Sequence, residues 1–422
     1  MSIFVRAVSA CCILFLFGAI VSAQTVAPEA PLALRDAITA ALRTNPDLKS
    51  FGFSLRVQDA RIDGARLRPA PEFSTDVENV LGTGTTKGVD AAEATFALSQ
   101  VIELGDKRAR RVAAAQTGRE VIGVRQQAAQ LDTIAEVTRR FIHVASDQAQ
   151  LELTRQATEL ARNTVDAVKR RVDAAKSPDV ELYRATVELK RAEIELRHSE
   201  HELLGSRRKL AAMWGEPEAQ FGVVQTDLYG LPTPATFDSL IGRLQANPDF
   251  TLFATETRLR DAEVRLVEAQ RRANFTVTAG VKRLQESRDN AFVVGFSVPL
   301  FSGRQAAPAI AEARALREQV GTERDAAFVK ARAQVFELYQ ELQHAINEVQ
   351  VLRRDVLPQM EKALKETEYA YDRGRYSYLE LVDGQRAYLD VQRALINAAT
   401  NAQTLQTEIE RLTGEPLSAT QP

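Results

Sequence analysis

The chain has 422 residues, 45% of them hydrophobic but only 6% aromatic, and a formal net charge of -2 at pH 7. Near-neutral charge gives no argument for nucleic acid. Its two cysteines, Cys11 and Cys12, stand side by side near the N-terminus, which excludes a disulfide framework or a thiolate metal centre elsewhere. Ala, Gln, Glu, Arg and Leu dominate, and that mixture points to long helices packed side by side, not to compact cores.

Arg6, the apolar run Ala10 to Val21 and the small residues Val21-Ser22-Ala23 predict a cleaved signal peptide over residues 1–23. The run is shorter than the roughly 20 apolar residues of a spanning helix. Val8-Ser9-Ala10-Cys11 precedes the apolar run, so lipidation at Cys11 is not expected. Cleavage removes one charge, Arg6, moves the formal charge from -2 to -3, and leaves no cysteine. No later segment is apolar enough for a transmembrane helix.

The remainder is written twice. "AITAALRTNPDLKS" (37–50) answers "SLIGRLQANPDFTL" (239–252), and Gly215-Glu216-Pro217 answers Gly414-Glu415-Pro416. The expected repeats are 24–214 and 236–417, joined by an extended connection over 215–235 that contains "PTP" and followed by a disordered tail, 418–422. Each repeat reads as a short helix, a strand pair, a long helix, a turn and a second long helix. Asn45 and Asn247, each followed by Pro and Asp, read as helix caps with Pro at the first helical position. They are structural marks and not binding sites.

Strand pairs fall within 70–101 and 273–300. Phe275, Val277, Ala279 and Val281 alternate with polar or small residues, as do Phe292, Val294, Phe296 and Val298. In the first repeat the runs are Phe73 to Leu81 and Ala92 to Val101, around "GTGTTKG"; Asp76, Glu78 and Glu93 intrude and suit a water-filled inner face. Runs of about 9–11 residues are bilayer length for tilted strands. The long helices are expected from Lys107 to Val172 and from Ala309 to Asp372, with shorter partners over 178–214 and 377–412. Some 65 residues make a rod near 100 Å. Leu338, Leu342, Ile346, Val349, Leu352 and Val356 form a packing seam. Pro299 suits a strand end, and Gly303 and Gly105 are expected to permit the turns from sheet to helix.

Every backbone polar group in lipid must be bonded, so a membrane sheet must close, and natural membrane barrels start at about eight strands. Four strands per chain force an oligomer; three copies give 4 × 3 = 12 strands and 4 × 3 = 12 helices. The expected fold is mainly α with a small β part. Three copies would share a 12-strand barrel continued by a tube of helices.

The twin NPD caps, "SVPLFSGR" (297–304) and "LPQMEKALKETEYAYDRGRYSYLELVDGQRAYLDVQ" (357–392) resemble the TolC-like outer-membrane efflux family over essentially the whole mature chain. "LSQVIELGDKRARR" (98–111) resembles, more narrowly, its cobalt–zinc–cadmium and related heavy-metal members, with Val101 and Asp106 where those usually carry Pro and Gly. The resemblance implies a homotrimer, a trimeric channel-tunnel in outer-membrane lipid with its coiled-coil tube in the periplasm, that docks to a periplasmic adaptor (a membrane fusion protein) and an inner-membrane proton-driven efflux pump. It implies no cofactor and no nucleic acid.

The turns 172–180 and 372–379 are then expected at the periplasmic end of the tube. Glu380 and Asp383, three apart and so on one helical face, align with the acids that line the constriction in relatives. Six acids around one axis would favour cations, and crowding should raise some of their pKa values. Tyr371, Arg373, Arg375 and Tyr376 are expected to hold the entrance shut and release it on docking. Asp179, Glu181 and Arg184 occupy the matching turn of the first repeat, where Ser177-Pro178-Asp179 reads as a cap followed by Pro. His198 and His201, beside Glu195 and Glu202, read as part of a solvated helix face, and no metal site is assigned. There is no nucleophile motif, phosphate loop or metalloprotease spacing, so no enzyme is expected. The function expected from the resemblance is the outer-membrane exit duct of a tripartite efflux system, passively conducting metal cations or small toxic compounds. Two other readings stand beside it: a multidrug or type I protein-secretion duct of the same fold, and a soluble periplasmic coiled-coil scaffold or adaptor.

Overall fold

The computed structural model describes residues 30–231 and 235–415. The signal segment, "PTP" and the C-terminal tail lie outside the described residues. Chain order is β1 (Leu32–Ala33), α1 (Leu34–Thr44), α2 (Pro46–Arg66), β2 (Glu72–Glu78), β3 (Glu93–Ile102), α3 (Lys107–Asp173) and α4 (Asp179–Ala211). Then follow β4 (Val224–Gln225), α5 (Phe237–Leu244), α6 (Pro248–Ala269), β5 (Phe275–Leu284), β6 (Asn290–Ser297), α7 (Ser302–Val351), α8 (Leu357–Asp372) and α9 (Tyr378–Thr413).

The single short helix expected at the head of each repeat is two helices, α1–α2 and α5–α6, broken at the NPD motifs. The break has a local cause. Pro46 lacks the N–H that a continuing helix would need, and Asn45 Oδ1 instead accepts from the backbone N–H of Asp47 at 2.9 Å and Leu48 at 3.1 Å. Asn247 caps α6 the same way, accepting from Asp249 at 2.8 Å. The caps also do more than start a helix. Asn45 Nδ2 donates to Met213 O at 2.9 Å, and Asn247 Nδ2 donates to Arg411 O at 2.8 Å and Leu412 O at 3.0 Å. Each asparagine thereby ties the head of its half to the end of that half's last helix.

α3 runs 67 residues, about 100 Å at 1.5 Å per residue. Its counterpart is α7, a five-residue π turn at Leu352–Val356, and α8. The π turn sits where Pro358 removes an N–H from the ladder, a common cause of such bulges. α7 starts at Ser302, earlier than expected, and carries Pro308 inside. Seam residues Leu342 and Val349 are buried against Ala402, Leu405 and Ile409 of α9 and against Leu395, Ala398 and Ala399. Many core positions are Ala, which lets long helices approach closely. The two halves build equivalent clusters: α1 against α3 and the end of α4, and α5 against α7 and α9. The segment after α4 is more than an extended connection. Phe221, Val224 and Leu228 are buried, and β1 pairs in parallel with β4.

β2, β3, β5 and β6 make one antiparallel sheet in that order. The joint between halves is β3–β5, with Ala97 opposite Gly280. A Cβ on Gly280 would stand 2.5 Å from Phe96 O. β2 and β6 are shorter than expected, 7 and 8 residues, whereas β3 and β5 have 10. Ten residues reach about 34 Å, or about 24 Å when tilted by 45°, close to the apolar band of a membrane barrel.

Candidate functional site

Register divides the sheet into two chemically different faces. One carries Phe73, Val77, Phe96, Leu98, Val277, Val281, Phe292, Val294 and Phe296. All are exposed, Phe292 to 90% and Val294 to 81%. The other carries Asp76, Glu78, Glu93, Thr95, Ser99, Thr278 and Lys282. Lys282 pairs with Glu78 at 3.0 Å and also with Glu93, and the Ser99 and Thr278 hydroxyls share a hydrogen bond of 2.8 Å. The acids that interrupt the first-half strand pattern thus all fall on the polar face. The outer edges of β2 and β6 have no strand partner among the described residues.

At the sheet-to-helix transition, Gly105 has φ +80°, and a Cβ there would meet Arg272 Cδ at 2.8 Å and Ala269 O at 3.3 Å. Glycine is demanded on both counts. Gly303 is different. It lies in the first turn of α7 with nothing within 4 Å of an added Cβ. The left-handed residue of the second transition is Phe301, φ 61°, which caps α7 as Asp106, φ 56°, caps α3. Gly105 therefore corresponds in place to Leu300, and the expectation that Gly303 makes the turn is corrected. Pro299 lies just beyond the end of β6.

At the far end of the helices, left-handed Ala175 and Gly374 turn α3 into α4 and α8 into α9. Ser377 and Glu380 form a capping box: the Ser377 hydroxyl accepts from Glu380 N, and Glu380 Oε2 accepts from Ser377 N at 2.7 Å. The backbone N–H and then the hydroxyl of Ser377 hold the Glu380 carboxyl below its ordinary pKa. The crowding expectation was the opposite; within the chain the cap decides the direction. Its stabilisation is present above the unfolded pKa and is lost as pH falls through the lowered folded value. α4 starts differently. Pro178 itself occupies the cap position without a side-chain bond, and the Ser177 hydroxyl accepts from Arg171 Nε at 3.1 Å. The expected Ser177 cap is therefore corrected.

Glu380, Asp383 and Arg184 line one open groove of about 780 Å³ between α4 and α9, together with Glu188, Arg191 and Arg386. Glu188 pairs with Arg386 at 2.8 Å and Arg191 at 3.1 Å. The groove therefore carries both signs of charge. Asp179, Arg373, Arg375 and Tyr376 are exposed on the turns, and Glu181 is half-buried. Arg373 lies over the Tyr369 ring at 5.1 Å.

Tyr371 is only 2% exposed and packs with Val168, Ala185, Tyr378 and Leu381. Arg171, which the sequence reading passed over, covers its ring at 4.6 Å and donates to its carbonyl at 2.5 Å. This contact joins α3 of the first half to α8 of the second. The Tyr371 and Tyr378 hydroxyls are buried without a hydrogen-bond partner, and burial pushes both phenols up. Arg171 sits in a run of charges on α3, where only the fold reveals which one faces inward. His143 lines a pocket with Asp147, Glu202 and Ser206. His198 Nε2 lies 3.2 Å from Glu202 on an exposed face, and no group of three metal-ligand side chains occurs among the described residues.

The model of the outer membrane efflux protein family matches residues 37–216 and 243–415. The chain is 27% identical over 388 residues to the cobalt-zinc-cadmium resistance protein CzcC of Cupriavidus metallidurans, covering 91% of this chain and 90% of that one. Among solved structures, CusC superposes with a TM-score of 0.74 at 15% identity, over 90% of this chain and 92% of that one. VceC from Vibrio cholerae gives 0.70 at 18%, over 91% and 97%.

Proposed function

This chain belongs to the outer membrane efflux protein family and is a passive outer-membrane duct with a periplasmic helical tube, not an enzyme; we propose that it works as a homotrimer that passes metal cations handed over by an adaptor and an inner-membrane proton-driven pump. One observation carries the trimer. A four-stranded sheet with an exposed apolar face and two open edges is unusable alone in either water or lipid. Three copies close it into twelve strands, with the apolar face toward lipid and the Glu78–Glu93–Lys282 face toward water. Each repeat supplies one hairpin of two long helices, so three copies wall the tube with twelve. A signal peptide over residues 1–23 delivers the chain. The metal-cation cargo is favoured by the similarity to a cobalt-zinc-cadmium resistance protein.

The periplasmic mouth is formed by the turns around Gly374 and Ala175. Arg171 on Tyr371 latches the two hairpins of one chain, and two unpartnered buried phenols make that contact cheap to open, since each hydroxyl regains water on exposure. Glu380 and Asp383, repeated three times, form the acidic lining, with Tyr376, Arg373, Arg375 and the Asp179–Arg184 turn placed for the adaptor. Single-channel conductance in a planar bilayer tests this. Glu380→Ala/Asp383→Ala is expected to cut cation-over-anion selectivity about threefold or more, as carboxylate rings favour cations. Unchanged selectivity in a conducting variant removes the acids from the lining. Arg171→Ala is expected to raise the open time or conductance several-fold. A conductance identical to that of the parent would show that the latch lies elsewhere.

A further inference from the structure

Charge is distributed very unevenly along the strands. Segments 66–69, 103–111, 271–274 and 298–305 meet where the sheet gives way to α3 and α7, and they hold nine Arg or Lys against two acids, Glu103 and Asp106. The whole chain has a net charge of -2. The opposite strand ends, 79–92 and 285–289, hold two basic residues against three acids.

Three of the nine basic groups are committed locally. Arg111 pairs with Glu103 at 2.5 Å, Arg66 with Asp63 at 2.9 Å, and Lys107 donates to Arg272 O at 2.7 Å and Asn274 Oδ1 at 2.6 Å. The other six, Arg68, Arg108, Arg110, Arg271, Arg272 and Arg304, are exposed and have no carboxylate within ion-pair distance among the described residues. Large apolar side chains stand among them: Leu67 is 69% exposed, Leu300 71% and Phe301 72%. Val298 and Leu300 continue by alternation the stripe of Phe292, Val294 and Phe296. Arg304 reaches over the Phe301 ring at 5.9 Å. Uncompensated guanidinium groups among exposed Leu and Phe, at the end of an apolar stripe, have the composition of a membrane–water interface.

We propose that this collar is a docking surface for the phosphate headgroups of anionic phospholipids in the periplasmic leaflet, and that it sets how deep the barrel sits. The proposal rests on the closed-barrel reading above. Guanidinium groups bind phosphate oxygens bidentately. The apolar stripe takes the acyl chains of the same lipid, so one molecule satisfies both halves of the surface.

The full-length protein is reconstituted into phosphatidylcholine vesicles with spin-labelled phosphatidylglycerol or phosphatidylcholine, and the motionally restricted fraction gives relative association. The expected result is about a fivefold or greater preference for phosphatidylglycerol, since juxtamembrane basic groups are strongly attracted to anionic headgroups. It should fall as salt rises. Glutamine at all six positions should bring it to near parity, while lysine at all six retains most of it. Parity in the parent protein, a preference indifferent to salt, or a preference that survives the six glutamines would each overturn the proposal. If the glutamine variant does not insert, the salt series on the parent and the lysine variant still decide. Glutamines that alter ion selectivity but leave lipid preference unchanged would place the arginines in the lumen and end the idea. Failure of the parent to conduct at all would instead sink the barrel reading, and the collar with it.

Discussion

Val294→Arg is expected to abolish assembly into the outer membrane, whereas Val293→Arg, one residue earlier, is expected to leave a conducting trimer. Val294 lies near the middle of β6, 81% exposed, on the apolar face opposite Ala279. Val293 is on the polar face opposite Gly280, whose missing side chain leaves room. Arginine at a bilayer midplane costs about 2–4 kcal/mol in a membrane barrel. A trimer pays that three times, which exceeds much of the typical stability of a folded protein. Arginine on a wet inner wall costs little and changes selectivity. Outer-membrane fractionation and conductance read both outcomes. If Val293→Arg is excluded from the membrane and Val294→Arg inserts, the faces are assigned the wrong way round. Equal tolerance of the two would mean that β6 does not cross lipid.

The faces were legible because a strand's period of two is short and survives local noise. Phe292, Val294 and Phe296 announce themselves in any register. Asp76, Glu78 and Glu93 looked like interruptions in the sequence and proved to share one side of the sheet with Lys282. The NPD caps were equally legible, since Asn before Pro has one strong local meaning. What the sequence hid depends on residues far apart. Nothing near Gly303 says that the backbone turns two residues earlier, at Phe301, because a left-handed residue outside glycine is chosen by how α7 must leave the sheet. Glu380 was visible as an acid on the right helical face. That its carboxylate is also engaged by Ser377 follows from a capping spacing, Ser-x-x-Glu, that was there to be read. Arg171 was invisible for another reason. Its partner, Tyr371, is 200 residues away, and one arginine among Lys169, Arg170 and Arg171 carries no local mark.

Asn247→Ala is expected to destabilise the second half by about 3 kcal/mol, more than the loss of an ordinary helix cap, which costs about 1 kcal/mol. The side chain is 1% exposed and serves three backbone groups. Its Oδ1 starts α6, and its Nδ2 holds the carbonyls of Arg411 and Leu412 at the end of α9. Truncation strands one buried donor and two acceptors, and unmet buried groups cost about 1–3 kcal/mol each when water cannot reach them. Asn247→Asp separates the two roles. It keeps the cap but turns a donor into a charged acceptor that faces two carbonyls, so it should be at least as harmful as alanine. Were the cap alone important, aspartate would behave as the parent. Asn45, 6% exposed, also serves three backbone groups, but two are N–H groups at the start of its own helix and only one, Met213 O, lies at the far end of its half, so Asn45→Ala should cost less. Denaturant titration of the detergent-solubilised protein, with limited proteolysis to locate the opened segment, gives the order. Equal costs at Asn45 and Asn247 would mean that the second carbonyl bond of Asn247 contributes nothing.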